Sequence, residues 1–249
     1  MNTVGIIPAR YQSTRFPGKP LAKICGKPMI EWVYKRAASC RRFSSLIVAT
    51  DDERIFDTVS SFGGSCVLTP KDIPSGTDRI AYAAKNLDCD IIINIQGDEP
   101  LIEPSPLEAL IDLFQKDNEL KMATLITPLT IEEELKNPNI VKVVIDQENF
   151  CLYFSRSPVP YLREIKFNEF SFYKHIGIYG YRKDYLLKFA STPPQKLEKA
   201  ESLEQLRALE TGVKIKAEKV EKWRGISVDT PEDIKKAEEE IKKGGIIPP

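Results

Sequence analysis

Short apolar runs alternate with segments of helical period through the first hundred residues. Val4 to Ile7 reads as a strand and Leu46 to Ala49 as a second. Between them Ile30, Val33, Tyr34 and Ala37 recur at i, i+3, i+4 and i+7, the spacing of one helix face, with Pro28 near the first turn. Ile55, Val59 and Phe62 mark another helical face, which Gly63 and Gly64 stop. A strand at Cys66 to Leu68, a helix around Ile80 to Leu87 and a strand at Ile91 to Ile95 follow. This β-α-β-α-β-α-β order predicts an α/β fold with a mostly parallel sheet and helices on both faces. Such sheets bind ligands beyond the carboxyl ends of their strands, so chemistry is expected in the loops after Ile7, Ala49 and Ile95.

The second half is less regular. Val141 to Asp146 and Cys151 to Phe154 read as a strand pair around the polar stretch Gln147 to Asn149, and Ile176 to Tyr181 as a further strand. Leu203, Leu206, Ala208 and Leu209 with interleaved charges predict a helix over Leu197 to Leu209. Pro231 to Lys243 mixes Glu and Lys at i, i+4 spacing, a charged helix ended by Gly244 and Gly245. Residues Arg163 to Tyr173 are the expected irregular excursion. No repeat or long linker interrupts the chain, so residues 1–249 are read as one domain, with a smaller strand-rich subregion at about residues 140–190.

Composition narrows the function classes. Lys plus Arg and Asp plus Glu both number 36, so no overall field points to nucleic acid or an anionic membrane, and anionic ligands must be captured by local clusters. No apolar run is long enough to span a bilayer, and the opening MNTVGIIPAR has no basic segment ahead of an apolar stretch. Five cysteines without C-x-x-C spacing speak for reduced thiols and a cytoplasmic setting. The one histidine, His175, rules out any mechanism needing several.

Five segments could carry chemistry, the last being Leu203 to Arg207 preceded by Glu201, whose acidic and amide groups are ordinary surface residues on a helix unless that face lines a pocket. Pro8 to Pro20 combines turn-forming residues with Arg10, Arg15, Lys19 and the hydroxyl of Ser13, the mixture of main-chain donors and cations that a triphosphate needs. It matches neither a P-loop nor a dinucleotide fingerprint, and a solvated basic loop would look the same. Asp98 follows a buried strand, with Gly97 allowing a sharp turn; hard carboxylate oxygens there suit Mg²⁺, and a plain Gly-Asp turn is the alternative. Thr230, Pro231 and Asp233 read as a helix cap, leaving Asp229 to point elsewhere, and we expect Asp98 and Asp229 to converge on Mg²⁺. Strand alternation places His175, Gly177 and Tyr179 on one face, where His175 is either structural or, with Arg156 and Tyr179, a carboxylate or hydroxyl partner.

In order, IIPARYQSTRFPGKPL, VATDDERI, SGTDRIA, NIQGDEPLI, MATL, NPNIVKVV, LYFSRSPVP, KHIGIYGYR, LEQLRALE and VDTPEDI resemble the 3-deoxy-manno-octulosonate (Kdo) cytidylyltransferases over essentially the whole chain. The first stretch is shared with other sugar-acid cytidylyltransferases, whereas NIQGDEPLI, LYFSRSPVP, HIGIYGYR and LEQLR together are far more specific. The resemblance implies a Rossmann-like nucleotidyltransferase fold, a homodimer, and transfer of CMP from CTP to Kdo for lipopolysaccharide biosynthesis. It implies that Arg10, Ser13 and Lys19 bind the CTP phosphates, with Ala9, Ser75, Gly76, Thr77 and Arg79 near base and ribose. It implies Mg²⁺ on Asp98 and Asp229, and Arg15, Gln96, Arg156, His175, Tyr179, Glu204 and Gln205 around the sugar acid. Lys174 is a departure, because relatives often carry Arg there; a point charge replaces a planar fork.

Overall fold

The structure, a computed structural model, describes residues 1–12 and 16–246. The chain divides into two compact units, Met1–Ile111 with the segment from Arg224 onward, and Asp112–Trp223.

The first unit is built on β1 (Thr3–Ala9). A small hairpin of β2 (Lys23–Ile24) and β3 (Lys27–Pro28) leads into α1 (Met29–Ala38), followed by β4 (Ser45–Thr50), α2 (Glu53–Ser61), β5 (Ser65–Leu68), α3 (Gly76–Ala84) and β6 (Ile91–Asn94). The strands pair in the order β6-β1-β4-β5, all parallel. Ile6, Ile7, Val48, Ile91, Ile92 and Ile93 are completely buried, as the unbroken apolar runs of a sheet covered on both faces require. The expected element order of this half is therefore observed. One boundary moves: the helix around Ile80 starts earlier, because the Ser75 hydroxyl accepts from Asp78 N (3.0 Å) and opens α3 at Gly76.

Two features fix the loops at the carboxyl ends of these strands. A Cβ at Gly97 would lie 2.9 Å from the Pro8 carbonyl oxygen, so only glycine lets the loop after β6 pass the end of β1. Arg79 of α3 is fully buried, with Nη2 2.8 Å from Asp51 Oδ2 just after β4 and Nη1 donating to the Thr69 hydroxyl just after β5. A guanidinium inside the unit thus ties one helix to the ends of two strands.

The helix α4 (Pro104–Lys116) carries the chain into the second unit. There β7 (Met122–Pro128), α5 (Glu132–Lys136), β8 (Lys142–Ile145), β9 (Cys151–Ser155), β10 (Tyr173–Arg182), α6 (Lys183–Ser191), α7 (Lys196–Glu201), α8 (Leu206–Glu210) and β11 (Ile215–Lys219) follow. β7 pairs in parallel with β11 and antiparallel with β10, while β8 and β9 form the expected antiparallel pair. Asp146 Oδ1 closes their turn by accepting from Glu148 N and Phe150 N (2.9 and 2.8 Å). Residues 163–172 are irregular apart from the 3-10 turn Phe167–Glu169, as expected.

The single helix expected over Leu197 to Leu209 is corrected to two. Ser202 adopts a left-handed conformation (φ 52°) and ends α7. This break lets Leu203, Leu206 and Ala208 all become buried. Arg207 locks it, donating to both carboxylate oxygens of Glu198 (2.8 and 2.6 Å) and to the carbonyls of Phe189 and Thr192.

On β10 a register shift falls between Ile176 and Tyr179, and His175 and Tyr179 share a face with ring centroids 5.2 Å apart. The Thr124 hydroxyl donates to the Ile178 carbonyl (2.9 Å), so at the 2.9 Å contact between its oxygen and His175 Nε2 the imidazole is the donor. Phe154 covers the ring edge-on, and burial pushes the His175 pKa down to about 3.

From Arg224 the chain returns to the first unit and ends in α9 (Pro231–Lys243), with the expected bounds and cap. Asp233 Oδ2 accepts from Thr230 N and from the Thr230 hydroxyl (3.0 Å each). Glu238 accepts from Cys25 N (2.8 Å), docking the helix on the β2–β3 turn. All five cysteines are free, and among the described residues no helix is long and apolar enough to cross a membrane.

Two stability measurements follow. Asp51→Ala leaves the Arg79 guanidinium buried and unpaired and should cost about 3–5 kcal/mol in urea denaturation, with much of it recovered in Asp51→Ala/Arg79→Met. A single-variant loss near or below about 1 kcal/mol would place the pair with exposed ones and remove its structural role. His175, neutral when folded, titrates near 6.5 when unfolded. Between that pH and about 3 the unfolded chain alone gains the proton, so stability falls as pH falls, by up to about 1.4 kcal/mol per pH unit. Above pH 6.5 this group contributes no slope, and His175→Phe should flatten the acid limb; identical limbs in both proteins would contradict the burial.

Candidate active site

Above the carboxyl ends of the parallel strands of the first unit lies a cavity of about 1010 Å³, of the size that holds a small organic ligand. Its wall is made by the loops after β1, β4, β5 and β6 together with Asp229. The placement is the one the strand order requires, since only at that end do the βα loops converge.

At one side of the cavity Lys19 joins two acidic groups that are remote in sequence. Gly18, left-handed at φ 72°, donates its N–H to the Tyr11 carbonyl (2.8 Å) and turns the chain so that Lys19 begins a short 3-10 turn. The Lys19 ammonium then lies 2.7 Å from Asp98 Oδ2 and 3.3 Å from Asp229 Oδ1. Asp98 and Asp229 thus come together on Lys19, a cation expected at phosphates. Val228 N donates to the Asp98 carbonyl (2.9 Å), holding the two carboxylate-bearing segments side by side. Beside them Glu99 is buried and accepts from the Ser227 hydroxyl. Burial, reinforced by the charges of Asp98 and Asp229 and opposed by the Ser227 bond, pushes its carboxyl pKa up to about 8.

Ala9 and Arg10 lie in the cavity wall, and Arg10 makes one 3.2 Å bond to the Pro74 carbonyl. Gln96, expected around the sugar acid, lines this same wall beside Asp98. Ser75, Gly76 and Thr77 are not in the wall: Ser75 caps α3 and Thr77 is buried. Arg79 departs furthest from its expected place near the nucleotide, since its buried guanidinium holds Asp51 and Thr69 and reaches the cavity only through Asp51. Ser13 and Arg15 lie outside the described residues.

Residue-level reading missed part of the wall: Tyr11, Asp51, Asp52, Arg54 and Lys71. Arg54 binds both oxygens of Asp52 (2.8 and 2.7 Å) and stacks on the Tyr11 ring at 3.3 Å from its centroid, tying the loop after β4 to the loop after β1. The available signal was position, since the Thr-Asp-Asp-Glu-Arg run directly follows a strand whose end was expected to face ligand.

The remaining candidates lie in the second unit. Arg156 faces backbone rather than open space: Nε donates to the Glu201 carbonyl (2.8 Å), Nη1 to Pro138 (2.9 Å) and Nη2 to Ser202 (3.3 Å). Its own carbonyl accepts from Lys142, a fully buried lysine that also donates to the carbonyls of Asn137 and Ile140. Lys174 pairs with Glu134 at 2.8 Å. His175 and Tyr179 are partly buried neighbours, and burial, with the Glu204 charge in addition, raises the Tyr179 hydroxyl well above its usual pKa. Glu204 lies 3.4 Å from Arg207. Gln205 is 4% exposed and its Nε2 has no hydrogen-bond partner, a buried donor of the kind a ligand oxygen satisfies.

Among the described residues no group of three or more His, Cys, Asp and Glu side chains is gathered for a metal. The pair Asp98 and Asp229 nevertheless suits Mg²⁺, which takes one or two carboxylates and fills its remaining positions with phosphate and water oxygens. That a single ammonium contacts both carboxylates locates a point where positive charge is favoured.

A family model described as cytidylyltransferase matches residues 4–215. The 3-deoxy-manno-octulosonate cytidylyltransferase of Thermodesulfovibrio yellowstonii is 50% identical, covering 96% of this chain and 97% of its own length. That of Fusobacterium nucleatum is also 50% identical, covering 99% of each. A solved structure of CMP:2-keto-3-deoxy-manno-octonic acid synthetase complexed with CTP superposes with a TM-score of 0.93 at 41% identity, over 98% of this chain and 100% of that one. A 4-diphosphocytidyl-2C-methyl-D-erythritol synthase from Anaerococcus prevotii shares the fold at 13% identity and a TM-score of 0.63, covering 97% of this chain and 98% of its own. With an α/β nucleotidyltransferase fold, its cavity above the parallel strands and this similarity over nearly the full length, the chain belongs to the 3-deoxy-manno-octulosonate cytidylyltransferase family.

Proposed function

We propose that this enzyme transfers CMP from CTP to the anomeric hydroxyl of Kdo, releasing pyrophosphate and giving CMP-Kdo. The observation that carries the reading is the meeting of Asp98, Asp229 and Lys19 at the wall of a cavity that also presents Arg10, in a chain half identical to enzymes of that name. A nucleotide-sensing protein would have no use for two carboxylates drawn onto one cation.

In the reaction the anomeric oxygen of the sugar acid attacks the α-phosphorus of CTP in line. The new O–P bond forms as the bond to the bridging oxygen of pyrophosphate breaks, and the hydroxyl proton is lost to solvent. His175 is a poor base for that proton, with its Nε2–H held on Thr124 and its pKa pushed down to about 3. Catalysis therefore rests on positioning and charge neutralisation, as in phosphoryl transfer generally. Arg10, exposed in the cavity wall and donating to the Pro74 carbonyl at 3.2 Å, can turn toward phosphate oxygens. Lys19 is the second cation for the departing pyrophosphate, and Gly97 keeps the loop after β6 close enough to β1 for both to share one ligand. Asp98 and Asp229 would hold Mg²⁺, which when bound offsets phosphate charge and lowers the pKa of a coordinated hydroxyl. Tyr179, His175, Glu204 and the unpartnered Gln205 amide are the sugar-acid candidates of the second unit. Arg156 supports them through the backbone carbonyls it binds. Five free cysteines favour a cytoplasmic setting, and a homodimer is the assembly the family resemblance suggests.

Asp98→Asn and Asp229→Asn should each lower kcat by about 10²–10³-fold or more, the scale of losing a transition-state charge contact, with unchanged circular dichroism. Near-normal rates in both at limiting Mg²⁺ would remove the cation from the mechanism. Pyrophosphate release measured with CTP, Mg²⁺ and, in parallel, Kdo, its amino analogue and a sialic acid should be fast with Kdo alone. Release with another acid in place of Kdo would keep the reaction and replace the substrate, and silence with all three despite CTP binding would overturn the enzyme reading.

A further inference from the structure

Hydrogen bonds join the two segments that carry Asp98 and Asp229, and one of them uses side chains that no catalytic step needs. The first is the backbone bond from Val228 N to the Asp98 carbonyl at 2.9 Å. The second is the Ser227 hydroxyl donating to Glu99 Oε1, between residues 128 positions apart. Glu99 is 7% exposed, and its other oxygen, Oε2, has no hydrogen-bond partner among the described residues. Burying a carboxyl group beside two aspartates is unfavourable, so a plain structural glue would be better made from apolar side chains.

We propose that Glu99 and Ser227 form a clip that sets the separation of Asp98 and Asp229, and so governs how tightly this pair captures a divalent cation. The clip rests on the reading that Asp98 and Asp229 hold Mg²⁺. Neither Glu99 nor Ser227 touches substrate; both are positioning residues. The two carboxylates repel each other once Lys19 turns from them to a ligand, and the chain on each side is loop. Cross-linking one segment to the other next to Asp98 and two residues before Asp229 removes that freedom before the cation arrives, so less ordering remains to be done on binding. Groups just outside a metal's own ligands commonly act this way.

The test is Mn²⁺ titration of the full-length protein, following the free-ion signal by electron paramagnetic resonance well below the melting temperature. Wild type, Asp98→Asn, Ser227→Ala, Ser227→Thr and Glu99→Leu are compared. Ser227→Ala and Glu99→Leu should each weaken Mn²⁺ binding about 10–100-fold, as loss of a partner behind a metal ligand does. Their combination should be no weaker than either alone, because both remove one bond. Ser227→Thr, which keeps the hydroxyl, should bind as wild type. If Ser227→Ala melts earlier yet binds Mn²⁺ as wild type does, the clip is only structural and the inference fails. If Asp98→Asn also binds as wild type, the cation reading beneath it fails instead, so the two failures are told apart. Should Glu99→Leu not fold, the contrast between Ser227→Ala and Ser227→Thr decides alone.

Discussion

One ammonium group organises the site of the first unit. Asp98 follows β6 and Asp229 precedes α9, so nothing local brings them together, and their charges oppose it. Lys19, at 2.7 and 3.3 Å, makes their approach favourable and places a positive charge at the wall of the cavity. Everything nearby serves that arrangement. Gly18 supplies the left-handed turn that aims Lys19, Gly97 lets the Asp98 loop pass β1 at backbone contact distance, and the Asp233 cap fixes the chain directly after Asp229.

Both units handle buried charge in one way. Arg79 pairs with Asp51, Arg207 with Glu198, and Lys142 and Arg156 with backbone carbonyls, so each cation is matched by fixed oxygens within its own unit. For Arg79, Arg207 and Lys142, which are buried, removing one partner would leave a charge without water or counter-charge, which makes these ties rigid supports for the loops they hold. Arg10 and the Gln205 amide are less constrained: Arg10 is exposed in the cavity wall and Gln205 Nε2 has no hydrogen-bond partner among the described residues.

Much of this was legible in the chain itself. Apolar periodicity located β1, β4, β5, β6 and the helices α1 to α3 because a parallel sheet covered on both faces demands continuous apolar strands, while the β2–β3 hairpin and α4 went unread. The cap at Thr230 and Asp233 gave α9 its bounds because capping is a local bond. The paired carboxylates could be named from their places after a buried strand and before a capped helix. Less legible were β7 and β11, whose residues read as mixed patches until their partners are known, and the break at Ser202, which local helix propensity argues against. That break exists because burying Leu203 and Leu206 in the second unit outweighs one continuous helix.

The sequence by itself determined which residues stand at the carboxyl ends of the strands, and with them the kind of chemistry the chain can perform. Only the tertiary structure decided which charges face a ligand and which are enclosed. Arg10 and Arg79 are alike to a reader of the chain, each in a polar stretch beside a turn. One stands in the cavity wall, while the other is sealed against Asp51 and Thr69. The difference is made by elements far away in sequence that pack over Arg79 and leave Arg10 uncovered, because desolvation belongs to the surroundings of a side chain and not to its neighbours along the chain.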